Sequence, residues 1–396
     1  MTDVPNLRIP GPTPVPPDIL EAVAHPMVNH RGREFAALIS RVSERLKDWF
    51  QTSNDVLILS ASGTGGLESA VVSTLSPGDR VLSVSIGAFG ERFAAIADTY
   101  GAEVIPLQYE WGQAASAEDV RQALAEHPDV KAVLVTHNET STGVTNPLEE
   151  IARAVRGGEQ GTGNREQGDA STRSARTDGG RGEPTPLLLV DAVSSLGAIP
   201  FEADGWGLDV VVTGSQKGWM VPPGLTFVSM SERAWQAYEN AKMPRFYLDL
   251  GRHRDALPKG QTPWTPAMSI FFGLDVALER MAEEGAERIF TRHASMGRMV
   301  RQGVKALGLE LLCEDERFAS DTVTAIKCPE GVEVSALRNA MEDDYNVILA
   351  GGQGKLQGKI FRIGHLGLVE EEDIRQMLRA LEQTLAKLGF KAAAVR

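Results

Sequence analysis

Cysteine is nearly missing from this 396-residue chain, which carries only Cys313 and Cys328. Two thiols without metal-ligand spacing cannot build a disulfide framework, so a disulfide-stapled secreted fold is excluded and a reducing cytosol is expected. Long apolar runs are also missing, and none reaches the length needed to cross a bilayer. The opening stretch MTDVPNLRIPGPTPVPP has no basic start followed by an apolar segment, so no secretory leader is expected. Basic charge is in deficit, with 40 Lys and Arg against 53 Asp and Glu and a formal net charge of -13. A surface that acidic repels phosphate backbones and anionic lipid, which sets aside nucleic acid and membranes as partners. An anionic ligand must be gathered by a local site.

What is present is ordinary for a soluble globular protein, 42% hydrophobic and 23% charged. The length suggests about two or three folding units. Residues 1–16 hold Pro5, Pro10, Pro12, Pro14 and Pro16, which predict an extended arm. From 17 to 284 short apolar strand patterns alternate with helical ones. Strands are expected at 56–60, 81–85, 104–107, 132–136, 187–190, 210–213 and 225–230, and helices between them at 67–75, 89–100, 117–125 and 148–155. That alternation predicts an α/β unit whose mostly parallel sheet is covered on both faces, with chemistry at the C-terminal strand ends. A long helix over 267–284 stops at Gly285, and 285–396 reads as a smaller α+β domain. The segment 157–186 has almost nothing with which to build a core and reads as a low-complexity surface insertion.

Four polar clusters follow expected strand ends. SASGTGGLE (60–68) puts small residues between strand and helix, where free N–H groups and the hydroxyls of Ser62 and Thr64 suit a phosphate. It lacks the third glycine of a dinucleotide fingerprint and the Lys-Ser/Thr pair of a P-loop, and on its own it is equally an ordinary turn. LLLVDAVSSLG (187–197) sets Asp191 at a strand end, either as a helix N-cap or as a partner for a protonated ring nitrogen. VVVTGSQKGWMVPPG (210–224) puts Lys217 after a buried strand among glycines and prolines. A desolvated lysine there loses basicity and becomes a nucleophilic amine. HNETSTGV (137–144) offers Asn138, Glu139 and Thr140 at the same rim. Farther on, IFRIGHLG (360–367) places Arg362 in an apolar strand, as a structural ion-pair partner or as a fork of donors for a carboxylate.

Taken in order, GPTPVPP, SASGTGGLE, GAFGER, HNETSTGV, VDAVSSLG, TGSQKG, TPWTP and FRIGHLG resemble the class V aminotransferases of fold type I. The likeness is nearest to alanine–glyoxylate and serine–glyoxylate (serine–pyruvate) aminotransferases, and it spans nearly the whole chain outside 157–186. It implies pyridoxal 5'-phosphate (PLP) as cofactor, held as a Schiff base by Lys217, with Asp191 on the pyridine nitrogen and Val193 packed on one ring face. Ser62, Gly63, Thr64 and Gln216 would bind the phosphate, and Thr140 the phenolic oxygen. Phe89 stands where the family often has a stacked tryptophan. Arg362 would take the substrate carboxylate, helped by backbone at Pro10–Gly11. Thr265 resembles a residue that reaches the neighbouring subunit's phosphate, which implies a homodimer. The implied reaction is a two-stage transamination between alanine or serine and a 2-oxo acid such as glyoxylate or pyruvate, with ping-pong kinetics.

Two other readings compete. A cysteine desulfurase shares the fold and the lysine but needs a reactive thiolate on a mobile loop, whereas LELLC and VTAIKC put both thiols in or beside apolar strands. A non-catalytic PLP-binding or interaction protein is the other, and the retained Lys217, Asp191 and Arg362 argue against it.

Overall fold

A computed structural model describes residues 4–157 and 185–390. The expected insertion therefore falls, apart from its flanks, outside the described residues. Seven strands form the main sheet, in the order Val56–Leu59, Thr226–Met230, Val210–Gly214, Leu187–Asp191, Ala132–Thr136, Arg80–Ser85 and Glu103–Gln108. All run parallel except Thr226–Met230, which is antiparallel to both neighbours. The architecture is mixed α/β with a large, mostly parallel central sheet.

The reason lies in composition. Alternation of polar and apolar residues is absent from the central strands: AVLVT, LLLVD and VVVTG are buried at every position, so neither face can be left to water. Each fully buried Val or Leu contributes about 2 kcal/mol. Two separate apolar cores form, one on each face. Phe35, Val42 and Phe271 belong to one, and Leu67, Val71 and Phe93 to the other. Because the strands are parallel, their C-terminal ends meet at one rim, and the motifs at Ser62, Phe89, Thr140, Asp191 and Lys217 all follow those ends.

A second sheet, in the order Asn6–Arg8, Val347–Gly351, Ile360–Gly364 and Val323–Lys327, packs with the helices Ala286–Ala306, Val334–Tyr345 and Glu371–Lys387 around a third core. The arm is thus not free. Its residues Asn6–Arg8 pair in parallel with Val347–Gly351 as an edge strand. A glycine opposite Ile9 is needed for the chain to pass, since a Cβ at Gly364 would lie 2.1 Å from the Ile9 carbonyl oxygen. No helix among the described residues is long and apolar enough to cross a membrane.

One sequence expectation changes in a way that matters for the site. The helix expected from residue 67 begins at Gly63 and runs to Thr74, with Ser62 as its N-cap. Glycine is a poor helix former, but packing demands it here. A Cβ at Gly63 would meet Val193 at 2.6 Å, and one at Gly66 would meet Thr226 at 2.3 Å. Residues 63–66 are therefore the helix's first turn, and only Ser60 and Ala61 lie between the strand and the cap at Ser62.

Candidate active site

Lys217 sits in a tight turn after Val210–Gly214. Ser215 ties the turn by donating through Oγ to the Pro222 carbonyl at 2.8 Å, and Trp219, fully buried, donates through Nε1 to Thr213 at 3.2 Å. The arm closes over the lysine. Lys217 Nζ donates to the Pro10 carbonyl at 2.8 Å, Thr13 Oγ1 donates to the Lys217 carbonyl at 3.1 Å, and the Thr13 N–H donates to the Gln216 carbonyl at 3.1 Å. Gly11, with φ of +131°, has no room for a side chain: a Cβ would stand 2.5 Å from Nζ. Burial pulls the amine down to about 8; Asp191 opposes that shift, and Arg362 and Arg92 reinforce it. An amine in that range is partly deprotonated near neutral pH and able to attack a carbonyl carbon.

Asp191 ends the strand Leu187–Asp191 with only 4% exposure. It accepts from the Val193 N–H at 2.9 Å and from Thr136 Oγ1 at 3.5 Å. Burial raises its carboxyl to about 6, the Val193 bond and Lys217 lower it, and Glu139 raises it further. The lysine and the aspartate thus sense each other, each favouring the other's charged form.

The start of Gly63–Thr74 lies beside this pair. Gly63 touches Val193, and Gly214 lies close to both the Gly63 N–H and Gln216 Oε1. Gln216 Oε1 is buried without a hydrogen-bond partner among the described residues. Ser62 is exposed and Thr64 half-buried, with hydroxyls at the free end of the helix.

The other wall comes from the hairpin Asn138–Glu139 and Val144–Thr145 and from the helix Ala88–Thr99. Phe89, half-buried, is the second residue of that helix, and Arg92 stacks over its ring at 4.7 Å. Thr140 is buried, and its carbonyl accepts from Arg362 Nη1 at 2.9 Å. Arg362 also donates through Nε to the Gly351 carbonyl at 2.8 Å, which orients the guanidinium and leaves Nη2 without a hydrogen bond among the described residues. Burial brings Arg362 down to about 10, with Glu139 opposing.

The expected residues therefore gather around the lysine turn, the Asp191 strand end, the helix start at Ser62 and the hairpin, with one exception. Thr265 stands apart. It is exposed, and no hydrogen bond among the described residues links it to this group. Its segment is anchored near the helix start instead, through the Ala267 N–H donating to Ser60 Oγ at 2.8 Å. Two roles have no signal in the sequence: Pro10 as the acceptor for the lysine, and Glu139 as the carboxylate that binds the N–H groups of Phe89 and Gly90.

Residues 11–160 and 184–365 match the family model described as aminotransferase class-V. The chain belongs to the class V aminotransferase family. Like the family, it is a PLP-dependent enzyme of the aminotransferase class. Among class V relatives, a serine–glyoxylate aminotransferase of Methylorubrum extorquens is 36% identical over 98% of this chain and 92% of its own. A solved alanine–glyoxylate aminotransferase from Nostoc sp. superposes with a TM-score of 0.87 at 30% identity, covering 97% of this chain and 96% of that one. A Synechococcus sp. protein named soluble hydrogenase, small subunit, is 44% identical over 98% of this chain and 95% of its own.

The residues present suit the cofactor of this family. A carboxylate at Asp191 with little hydrogen bonding fits a cationic ring nitrogen, and the first amides of the helix Gly63–Thr74, with the Ser62 and Thr64 hydroxyls beside them, are donors that suit a phosphate.

Proposed function

We propose that this aminotransferase moves the amino group of a small amino acid, alanine or serine, to a small 2-oxo acid such as glyoxylate or pyruvate. The observation that carries the reading is the buried amine of Lys217 electrostatically coupled to the buried carboxylate of Asp191. The names of the serine–glyoxylate and alanine–glyoxylate relatives support the substrate class.

In this reading PLP, when bound, supplies an electron sink for charge that develops at the substrate α-carbon. Lys217 would anchor it through Nζ, and the same amine, once free, would take the α-proton and return it. Asp191 would hold a proton on the ring nitrogen. Val193 and Phe89 would pack against the ring, Thr140 would donate to its phenolic oxygen, and Ser62, Gly63, Thr64 and Gln216 would hold the phosphate. Arg362 offers Nη2 to the substrate carboxylate, with Gly11 closing the site from the arm. Thr265 stands exposed beside Trp264, Tyr247 (47% exposed) and Phe246 (63% exposed), whose rings stack with centroids 5.0 and 5.9 Å apart. That aromatic surface suits a second copy of this chain, whose site Thr265 would complete; a homodimer is the arrangement we propose.

The name of the Synechococcus relative invites hydrogen chemistry. Iron–sulfur centres are held by sets of cysteine thiolates, and this chain has two cysteines in all. A donor-by-acceptor screen of the purified protein tests the proposal. Turnover of alanine or serine with glyoxylate or pyruvate is expected, and turnover confined to other donors would overturn the substrate assignment.

A further inference from the structure

Glu139 is a charge enclosed completely, with 0% exposure and no ion pair among the described residues. Its Oε2 accepts from the Phe89 N–H at 3.0 Å and the Gly90 N–H at 3.1 Å. Its Oε1 accepts from the Ser141 N–H at 3.0 Å and from Ser141 Oγ at 2.7 Å. Ser141 Oγ in turn accepts from the Ala88 N–H at 2.9 Å. The first amides of Ala88–Thr99 therefore all end on one carboxylate and the hydroxyl it holds. A negative group at a helix start is favoured by the unpaired N–H groups and the helix dipole.

The same residue belongs to the hairpin. The next carbonyl, that of Thr140, receives Arg362 Nη1 at 2.9 Å. One carboxylate thus joins the helix that carries Phe89 to the loop that holds Arg362. The approach is tight: a Cβ at Gly87 would lie 2.4 Å from Glu139 Cγ and 2.5 Å from Ser141 Oγ. Gly87 has φ of 174°, an extended conformation open to any residue, so glycine is required there by the contact and not by the backbone.

We propose that Glu139 is a positioning residue for the transamination site. Its carboxylate fixes where Phe89 lies relative to Arg362 across the lysine, without touching the substrate itself. The inference rests on the functional reading above, in which Phe89 covers the cofactor ring and Arg362 takes the substrate carboxylate.

Glu139→Gln replaces one acceptor oxygen with an NH2 that only donates, so one of the two donor pairs loses its acceptor while the remaining oxygen keeps the other. Gly87→Ala reaches the same contact from the other side and keeps the test available if the first variant fails to fold. In the PLP-loaded full chain, each is expected to alter the dichroism of the visible cofactor band and to speed PLP release on dilution by about tenfold, the loss expected for hydrogen bonds to a charged group. KM for the amino acid should rise alongside. Glu139→Asp, which keeps both acceptor oxygens, should recover part of each signal. Variants that melt at lower temperature but keep wild-type dichroism and PLP release would reduce Glu139 to a structural residue and overturn the inference. A wild-type chain with no visible cofactor band would instead overturn the functional reading, and the inference with it.

Discussion

Lys217 Nζ donates to the carbonyl oxygen of Pro10 at 2.8 Å across 207 residues of sequence. The N-terminal arm therefore holds the amine, and its next residue, Gly11, lies against the lysine side chain. Gly11→Ala would place a methyl 2.5 Å from Nζ at a φ of +131°. Misplacing a reacting group by about 1 Å costs on the order of a hundredfold in rate. We expect kcat to fall by about that factor, with a weakened visible cofactor band. Steady-state kinetics beside absorption spectra check this; wild-type values would show that the arm does not hold the amine.

Arg362 is gripped by two carbonyls, those of Gly351 and Thr140, so its remaining donor has a fixed direction. Arg362→Ala should raise KM for the amino acid and the oxo acid alike by about tenfold to a hundredfold, since a charge-assisted bond is lost to both substrates. Arg362→Lys should recover little, because one ammonium cannot hold both carbonyls and still present a donor in that fixed direction. KM unchanged for both substrates would leave Arg362 a structural tie between the hairpin and the small sheet.

The thiols separate transamination from desulfuration. Cys313 is buried, and burial, followed by Asp315, pushes its thiol up to about 11; burial also raises Cys328. Both stay protonated at neutral pH, and a thiol is a poor nucleophile beside a thiolate. The double variant Cys313→Ser, Cys328→Ser should keep transaminase turnover within about twofold, and the wild type should release no sulfide from cysteine. Sulfide release that depends on either cysteine would contradict this.

Four buried histidines set the acid limit of the fold. Burial lowers His137 and His365 to about 3 and His253 and His293 to about 4. An unfolded histidine titrates near 6.5, so below about that pH the unfolded chain binds protons that the folded one refuses. Their contribution to stability is therefore full above about pH 6.5 and is lost as pH falls toward the folded values. Asp191, raised to about 6, acts in the opposite sense: its contribution is present at low pH and lost as pH rises through about 6. Glu139, also raised by burial, has the same sign. The histidines outnumber these carboxylates, so the melting temperature of the full chain should drop between pH 7 and pH 5. His137 packs between Phe201 and Trp206, with its Nδ1 unpartnered among the described residues. His137→Phe should flatten the pH dependence by about one proton. A pH-independent melting temperature in the wild type would refute the assignment.

Much of the large sheet is legible because its strands are short and apolar throughout: the stretch AVLVT announces a strand buried on both faces, and the strand is Ala132–Thr136. Partners distant in sequence are not. Nothing in TFVSM tells that Thr226–Met230 runs antiparallel to both neighbours, and the strand Val347–Gly351, which ends at the glycines of VILAGG, is not among the expected ones. The arm reads as extended, yet its edge pairing depends on that unexpected strand. Glu139 shows the same limit at the site. A glutamate among hydroxyls reads as a wet loop, and its burial becomes intelligible only when a helix start 50 residues earlier delivers its amides. Lys217 and Asp191 stand out because Asp191 ends an apolar strand and Lys217 closely follows one, so a charge there needs a reason.

Borohydride reduction of the PLP-loaded chain, followed by mass spectrometry of its peptides, addresses the central claim most directly. The account predicts a single phosphopyridoxyl group on Lys217, absent from Lys217→Ala. A label on another lysine, or none on the wild type, would contradict it.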